Sequence, residues 1–596
     1  MNFDAEWIIS NRNATYSSSS ISFANLRTYH GIFVKNVSNS YDRMVLLSKF
    51  FEEIEINGNK INLDSNYYPG TIYPEGRNYL INYKNNPAPE FTYQYNGFQL
   101  IKRIVLDPNR DLLIIKYDFN YIPDSIKLYP LLSFRNYNDI TRKGYVHFDY
   151  FKMNEFYKFS ANNQDLYISE NGNFIKDDLW YYNFQYPVDM KRGSNYVEDL
   201  YLPGHFDIKP EKSIEIVIHS ENGFKNSETF DSLLKKYKAS MIKPVSNNKY
   251  IKKMEKDSTV FFTDDNFIAG YYWFGAWGRD TFISMPGLAL IPKKFDFAKN
   301  ILLNYMKNIR NGIVPKTMNL DYDSADVSLW FIYAVYKYYE YSGDIDTVDY
   351  MMPDIKKILD AYINGNEYYG LDNYMVITKK GQLTWMDAKY NDIIFTPRTG
   401  KPIEINALWY NALKTYEFFS EKLDMGIQGI YKEIIKGLEK NFESEFFRGD
   451  KIYDVLPDDY SLRPNFLLSF SLPFNIMKNF NRYKKTVDEL LLTPYGLRSL
   501  SKKDENYIPV YEGDRFHRDK AYHNGAIWPW LIGPYISASV KSGNDKSKLK
   551  KYFDKVYKMD KIPELFQENG EPSGCILQAW SYGEIIRSYF EDIGGE

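Results

Sequence analysis

Residues 324–343 read SADVSLWFIYAVYKYYEYSG. Apolar and aromatic side chains recur at three- and four-residue steps, Ser opens the run and Gly closes it, so the stretch reads as a capped helix. Segments 344–366, 402–424 and 574–592 carry the same period. Roughly twelve such segments run between 247 and 592. Long loops rich in Asp, Asn, Tyr and Gly interrupt them at 311–324, 367–401, 448–465 and 493–524. Helices in this order fit a closed ring of helical hairpins, with an inner wall of helices and a loop-lined mouth. Loops this long in a compact domain are usually functional. No fixed sequence period is present, so the ring is not a repeat array.

Upstream the texture changes. RMVLLSKFFEEIEI (43–56), FQLIKRIVLD (98–107), DLLIIKYDF (111–119), SIKLYPLLSF (125–134) and KSIEIVIHS (212–220) are short β-branched and aromatic runs, several separated by turn signals such as NG and DPN. Many short strands at this spacing point to an antiparallel sandwich. The expected division is a β-sandwich domain over 1–235, a linker and first helix over 236–262, and the helical domain over 263–596.

Composition limits the function. A chain of 596 residues is too long for one ordinary core. The formal net charge of −3 gives no reason to expect nucleic acid, which needs a concentrated basic surface. The single cysteine, Cys575, excludes an intramolecular disulfide and fits a reducing compartment. No basic stretch followed by an apolar core opens the chain, and no long apolar window follows, so neither a signal peptide nor a membrane partner is expected. The expected location is the cytoplasm.

The six histidines show no metal-ligand spacing. Phosphate-loop and nucleophile-elbow motifs are absent, so no metal or other cofactor is expected. What remains is carboxylates among aromatics. Eight of the ten tryptophans fall between 273 and 580, and there the acids stand out: Asp280 in WFGAWGRDTF, Asp326 in DSADVSLWF, Asp387 in LTWMDAK and Glu564 in KIPELFQENG. Each is read as lying at or near the start of an inner helix. Taken singly, such an Asp is more often a helix cap. As a set they suit glycosidic hydrolysis, in which one protonated carboxyl donates to the leaving oxygen and an ionised one activates water. Aromatic faces would cover the apolar face of a sugar. Asp387, beside Trp385 and Met386, is expected in a desolvated setting that favours a proton donor. Glu564 is expected to need the opposite setting, hydrated and near Arg, Lys or backbone donors.

The blocks at 271–288, 321–332, 383–413, 462–465 (LRPN), 493–500 (TPYGLRSL), 522–535 (YHNGAIWPWLIGPY) and 573–588 resemble, in order, the signature blocks of archaeal-type glycogen debranching enzymes. They are similar, more loosely, to the amylo-α-1,6-glucosidase part of the eukaryotic enzyme. EWIISN and SFANLRTYHGIFV near the start resemble the family's N-terminal domain. The resemblance implies an N-terminal β-sandwich followed by an (α/α)6 barrel, and inverting release of an α-linked terminal glucose from glycogen-type α-glucans. It implies Asp387 as general acid and Glu564 as general base. Arg279 and Asp280 would hold sugar hydroxyls, with Trp277 or Trp385 covering an apolar edge. Asp326, Arg398 and Glu404 are further pocket candidates, and Lys389, His523 and Trp528 would border it. Where the family has a glycine-rich stretch this chain has RNATYSSSS (12–20), and the two domains leave no room for a separate transferase barrel of about 250 residues. The alternatives are a glucoamylase-like α-1,4-exo-glucosidase, a phosphorylase on the same ring, and a glycogen-binding protein without catalysis.

Overall fold

The computed structural model describes residues 1–169, 171–224 and 227–594. The chain divides into two compact units, 1–241 with 262–264, and 242–261 with 265–596.

The first unit holds two eight-stranded sheets, antiparallel at every pairing described. One runs Glu6–Ser10, Tyr16–Ser20, Gly31–Asn36, Arg43–Ile56, Ser125–Asn136, Val197–Ile208, Gly172–Gln185, with Asn59–Asn62 folded back on Arg43–Ile56. The other runs Asp149–Met153, Phe156–Ala161, Gln164–Ser169, Ser213–His219, Leu112–Phe119, Phe98–Leu106, Pro89–Tyr95, Leu80–Asn85. Alternate residues of both sheets, among them Leu47, Ile54, Ile115 and Ile216, share one core. Two acids and two lysines enter that interior and are matched there. Lys102 stands 2.7 Å from Glu52, and Lys49 lies 3.3 Å from Asp64 while donating to the Phe23 and Ser65 carbonyls. The strand texture ends earlier than expected. Phe230–Ser240 is a helix, opened by a Thr229/Ser232 capping box, and its Phe230, Leu233 and Tyr237 fill one face that joins the sandwich core.

The second unit is a closed ring. Gly278–Met285 packs on Val327–Ser342, which packs on Ile403–Lys422, then Leu468–Ser471, then Ile532–Lys541, then Ala579–Ser588, which returns to Gly278–Met285. These inner helices are buried nearly all round: every residue from Val327 to Val335 and from Ile403 to Leu413 is inside. Outer helices bury one stripe only. In Phe295–Lys307 it is Ala298, Ile301, Leu302, Tyr305 and Met306, the three- and four-residue spacing that marks one face. The ring closes on glycine. A Cβ on Gly287 would sit 2.0 Å from the Gly583 carbonyl, so only glycine lets the last inner helix reach the first. The inner helices therefore form the six-membered wall expected of an (α/α)6 barrel. No helix among the described residues is long and apolar enough to cross a membrane.

Candidate active site

Inner-helix starts supply half of the site. Arg279 and Asp280 occupy the first turn of Gly278–Met285, and Asp326 stands just before Val327–Ser342. Asp326 holds the N-cap position, but its side chain makes no capping hydrogen bond. Instead it binds Arg279 through two hydrogen bonds, Nε to Oδ2 at 2.6 Å and Nη2 to Oδ1 at 3.0 Å, a fork-on-carboxylate pairing that fixes the guanidinium plane. Loop backbone bonds bring the next groups in. Gly278 N–H donates to the Lys316 carbonyl at 2.8 Å, and Ala325 N–H donates to the Leu383 carbonyl at 2.7 Å. The second bond ties the 383–387 segment to Asp326. Asp387 Oδ2 consequently lies 3.6 Å from Arg279 Nη1 and 3.5 Å from Lys316 Nζ. Lys316, in a loop flagged by its length, was not singled out in the sequence.

Three expectations are corrected here, the third in part. Asp387 and Glu564 are not at helix starts: Asp387 lies in the loop before Lys389–Tyr390, and Glu564 just before the short strand Leu565–Phe566. Nor is Asp387 enclosed by its apolar neighbours. Its side chain is 24% exposed and faces two cations, while Trp385 and Met386 turn into the core. Sequence adjacency carried no information on side-chain direction in a loop. The expectation for Glu564 holds in part: a backbone donor is present, but the carboxyl is buried rather than hydrated. It is 1% exposed, and its oxygens accept from the Tyr522 hydroxyl and, at 2.9 Å, from Cys575 N–H. Gly574, at φ +72°, makes room for this: a Cβ there would lie 2.4 Å from Glu564 Oε2. Cys575 thus serves Glu564 through its backbone.

Asp280, beside Arg279 in sequence, lies within electrostatic reach of Glu564. Gln578 donates to its Oδ1 at 2.9 Å. Burial, opposed by Arg279 and reinforced by the Glu564 charge, pushes its pKa up to about 7. A carboxyl poised there can accept or donate a hydrogen bond near neutrality.

Aromatic residues build the floor. Trp385 meets His523, Trp528 and Trp530 edge-on, each at 5.3 Å, and its indole N–H donates to Asn465 at 2.7 Å. His523 stacks on Trp528 and is kept neutral: burial, then the Arg463, Arg279 and Arg398 charges, holds its pKa well below the usual imidazole value. Neither ring nitrogen has a hydrogen-bond partner among the described residues, which leaves one donor and one acceptor for a ligand. Trp277, half-buried with Lys316 above its ring at 5.5 Å, is the more accessible of the two tryptophans considered for a sugar face.

Arg398 and Glu404 belong behind this floor. Arg398 is buried between Glu404 and Asp454, and its Nη1 lies 3.9 Å from Met386 Sδ. Asn465, held by Asp454 at 2.8 Å, carries the Trp385 bond. This ion cluster braces the Trp385–Met386 segment from within. Lys389 stands exposed on a two-stranded hairpin with Ile393–Ile394, and no described hydrogen bond or ion pair links it to the cluster. Tyr522, Gln578, Asp454 and Asn465 were missed as individual residues, although Tyr522, Gln578 and Asn465 lie in the signature blocks.

The model of the amylo-alpha-1,6-glucosidase family matches residues 245–587, and that of the glycogen debranching enzyme N terminal matches 5–217. The glycogen debranching enzyme of Saccharomyces cerevisiae (strain ATCC 204508 / S288c) is 26% identical in an alignment 379 residues long that covers 44% of this chain and 24% of that protein. The chain therefore spans about a quarter of that relative's length. A bacterial glucoamylase complexed with acarbose superimposes with a TM-score of 0.64 at 13% identity, over 99% of this chain and 92% of that one, which shows a shared fold. A GH63 mannosylglycerate hydrolase from Thermus thermophilus in complex with glucose matches 57% of this chain and 100% of its own, at TM-score 0.45 and 11% identity. By the match over more than half its length, this chain belongs to the amylo-alpha-1,6-glucosidase family.

Proposed function

We propose that the chain is an inverting glycoside hydrolase of the archaeal type, releasing glucose from α-1,6 branch stubs of glycogen-type or limit-dextrin α-glucans. Asp387 is the general acid and Glu564 the general base. The observation that carries this reading is Arg279, which joins Asp326 and Asp387 on one guanidinium beside Asp280 and hence Glu564. Family membership and the glucoamylase-like fold support it.

Each group has a task. Asp387 Oδ2 faces Arg279 and Lys316, and no described hydrogen bond reaches Oδ1, the oxygen available to a leaving group. A bound sugar that excludes water from this partly exposed carboxyl supplies the desolvation a proton donor needs. Glu564, held by Tyr522 and Cys575, would take a proton from water on the other face. Asp280 and the free nitrogens of His523 would bind hydroxyls, and Trp277 an apolar face. The single buried cysteine supports a reducing, cytoplasmic setting.

Initial rates on panose, isomaltose and maltotriose, with the anomer of released glucose followed by NMR, test the proposal. β-Glucose released fastest from the α-1,6-linked substrates is the expected result. Preference for maltotriose would replace it with the α-1,4-exo-glucosidase reading. Glucose phosphate formed only with added phosphate would make it a phosphorylase. No release from any of the three, with binding retained, would leave a glycogen-binding protein.

A further inference from the structure

The inner helices that begin at the candidate active site end at a cavity. Asp326 precedes Val327–Ser342, and Trp330, Tyr333, Tyr336 and Tyr341 of that helix line a cavity of about 500 Å³. Tyr341 lies about 22 Å along the axis from Asp326 at 1.5 Å per residue. Ala579–Ser588 repeats the pattern: Gln578, just before it, binds Asp280, whereas Glu584 and Arg587 line the cavity. The cavity therefore occupies the end of the barrel away from the acids. Trp530 lines it and also meets Trp385 at 5.3 Å and Trp580 at 5.2 Å, so the tryptophan cluster lies between the two.

Its lining selects a neutral ligand. Arg587 is forked onto Glu584 at 2.8 and 2.9 Å and reaches Glu591 at 3.1 Å and Asp592 at 3.2 Å. Lys337 pairs with Glu591 at 2.9 Å and with Glu340, and Lys541 donates to the Ser471 and Leu472 carbonyls. Three cations face four carboxylates, so no spare positive charge awaits an anion. Paired carboxylates keep lone pairs that accept from hydroxyls. The hydroxyls of Tyr333 and Tyr336 and the indole N–H of Trp330 have no hydrogen-bond partner among the described residues. Aromatic side chains with unpaired polar edges, set among neutralised charges in a cavity of this size, are what a polyhydroxylated ring needs.

We propose that this cavity is a second, non-catalytic site for a short neutral α-glucan segment, held on Trp330, Tyr333 and Tyr336 at the barrel end opposite the acids. That the sugar is α-linked rests on the proposed reaction; that it is a neutral carbohydrate rests on the cavity. Such a site would hold one chain of a branched polymer while another enters the mouth, raising the local substrate concentration.

The test is calorimetric titration of the full-length Asp387→Asn protein with maltotetraose, cellotetraose and glucose 1-phosphate, repeated with Tyr336→Ala or Tyr333→Phe added. Tyr333→Phe removes only a hydroxyl, so it keeps the packing should Tyr336→Ala disturb it. A crystal of Asp387→Asn soaked in maltotetraose locates the sugar without any cavity substitution. The expected result is a maltotetraose-binding event weakened at least tenfold by Tyr336→Ala and severalfold by Tyr333→Phe. Density should appear against Trp330, and glucose release from isomaltose by the Tyr336→Ala single variant should stay within twofold. Binding unaffected by both substitutions, an empty soaked cavity, or tighter binding of glucose 1-phosphate would overturn it. Cellotetraose bound in preference would overturn the α-linkage. Failure of the proposed reaction reads out separately, as absence of glucose release whatever the cavity binds.

Discussion

Arg279 Nη1 lies 3.6 Å from Asp387 Oδ2 while Nε and Nη2 of the same guanidinium are held by Asp326. One planar group thus sets the spacing of two acids that arrive on separate chain segments. A lysine keeps the charge but not the fork. Arg279→Lys should lower kcat/KM about 10- to 100-fold, the cost of one or two charge-assisted hydrogen bonds. It should also lower the thermal midpoint, because Asp326 loses its buried partner. Steady-state kinetics and a melting curve on the same preparation check both.

Asp387→Asn removes the proton donor and leaves the shape. Glucose release should fall about 10²- to 10⁴-fold. The melting temperature should hardly move, since the two ion pairs lost are at 3.5 and 3.6 Å on a partly exposed group. Unchanged release would sink the assignment of the acid.

Gly574→Ala tests the placement of Glu564 without touching it. The added Cβ would fall 2.4 Å from Oε2, at a φ of +72° that L side chains rarely adopt. Displacement of the base by a fraction of an ångström should cost at least tenfold in kcat with a smaller change in KM. Equal losses in both would point to general unfolding of the loop instead.

Asp280 gives the pH dependence. Its pKa rises from about 3.9 in an unfolded chain to about 7 in the fold, through burial, against Arg279 and with Glu564. The folded state therefore holds the proton more tightly. Its contribution is full below about pH 4 and is lost as pH rises through about 7, at up to about 1.4 kcal/mol per pH unit. Glu404, also pushed up to about 7 by burial, against Arg398 and with Asp454, acts in the same direction. Denaturant midpoints of the protein and of Asp280→Asn between pH 4.5 and 7.5 should show a smaller decline in the variant. An identical slope would mean that Asp280 ionises as freely in the fold as outside it.

The sequence by itself determined the two textures and much of the composition of the site. The helical period of 324–343 and its successors survives as the inner wall, because a helix buried all round must repeat apolar residues locally, and local repetition is visible in one dimension. The strands from 43 to 134 were legible for the same reason. The helix Phe230–Ser240 was not, since three core residues in eleven are too few to set its period apart from the strands before it.

Tertiary structure alone decided what the acids face. Trp385 and Met386 adjoin Asp387 in sequence, yet they turn inward, and Lys316 and Arg279 from two other segments take their place beside it. Arg398, Glu404 and Asp454, which bridge 56 residues, make a buried ion cluster that no local pattern announces. The division follows from the length scale of the forces. Side-chain period and backbone preference act within a few residues, whereas the setting of a carboxyl is fixed by whichever distant groups the closing ring brings within about 4 Å.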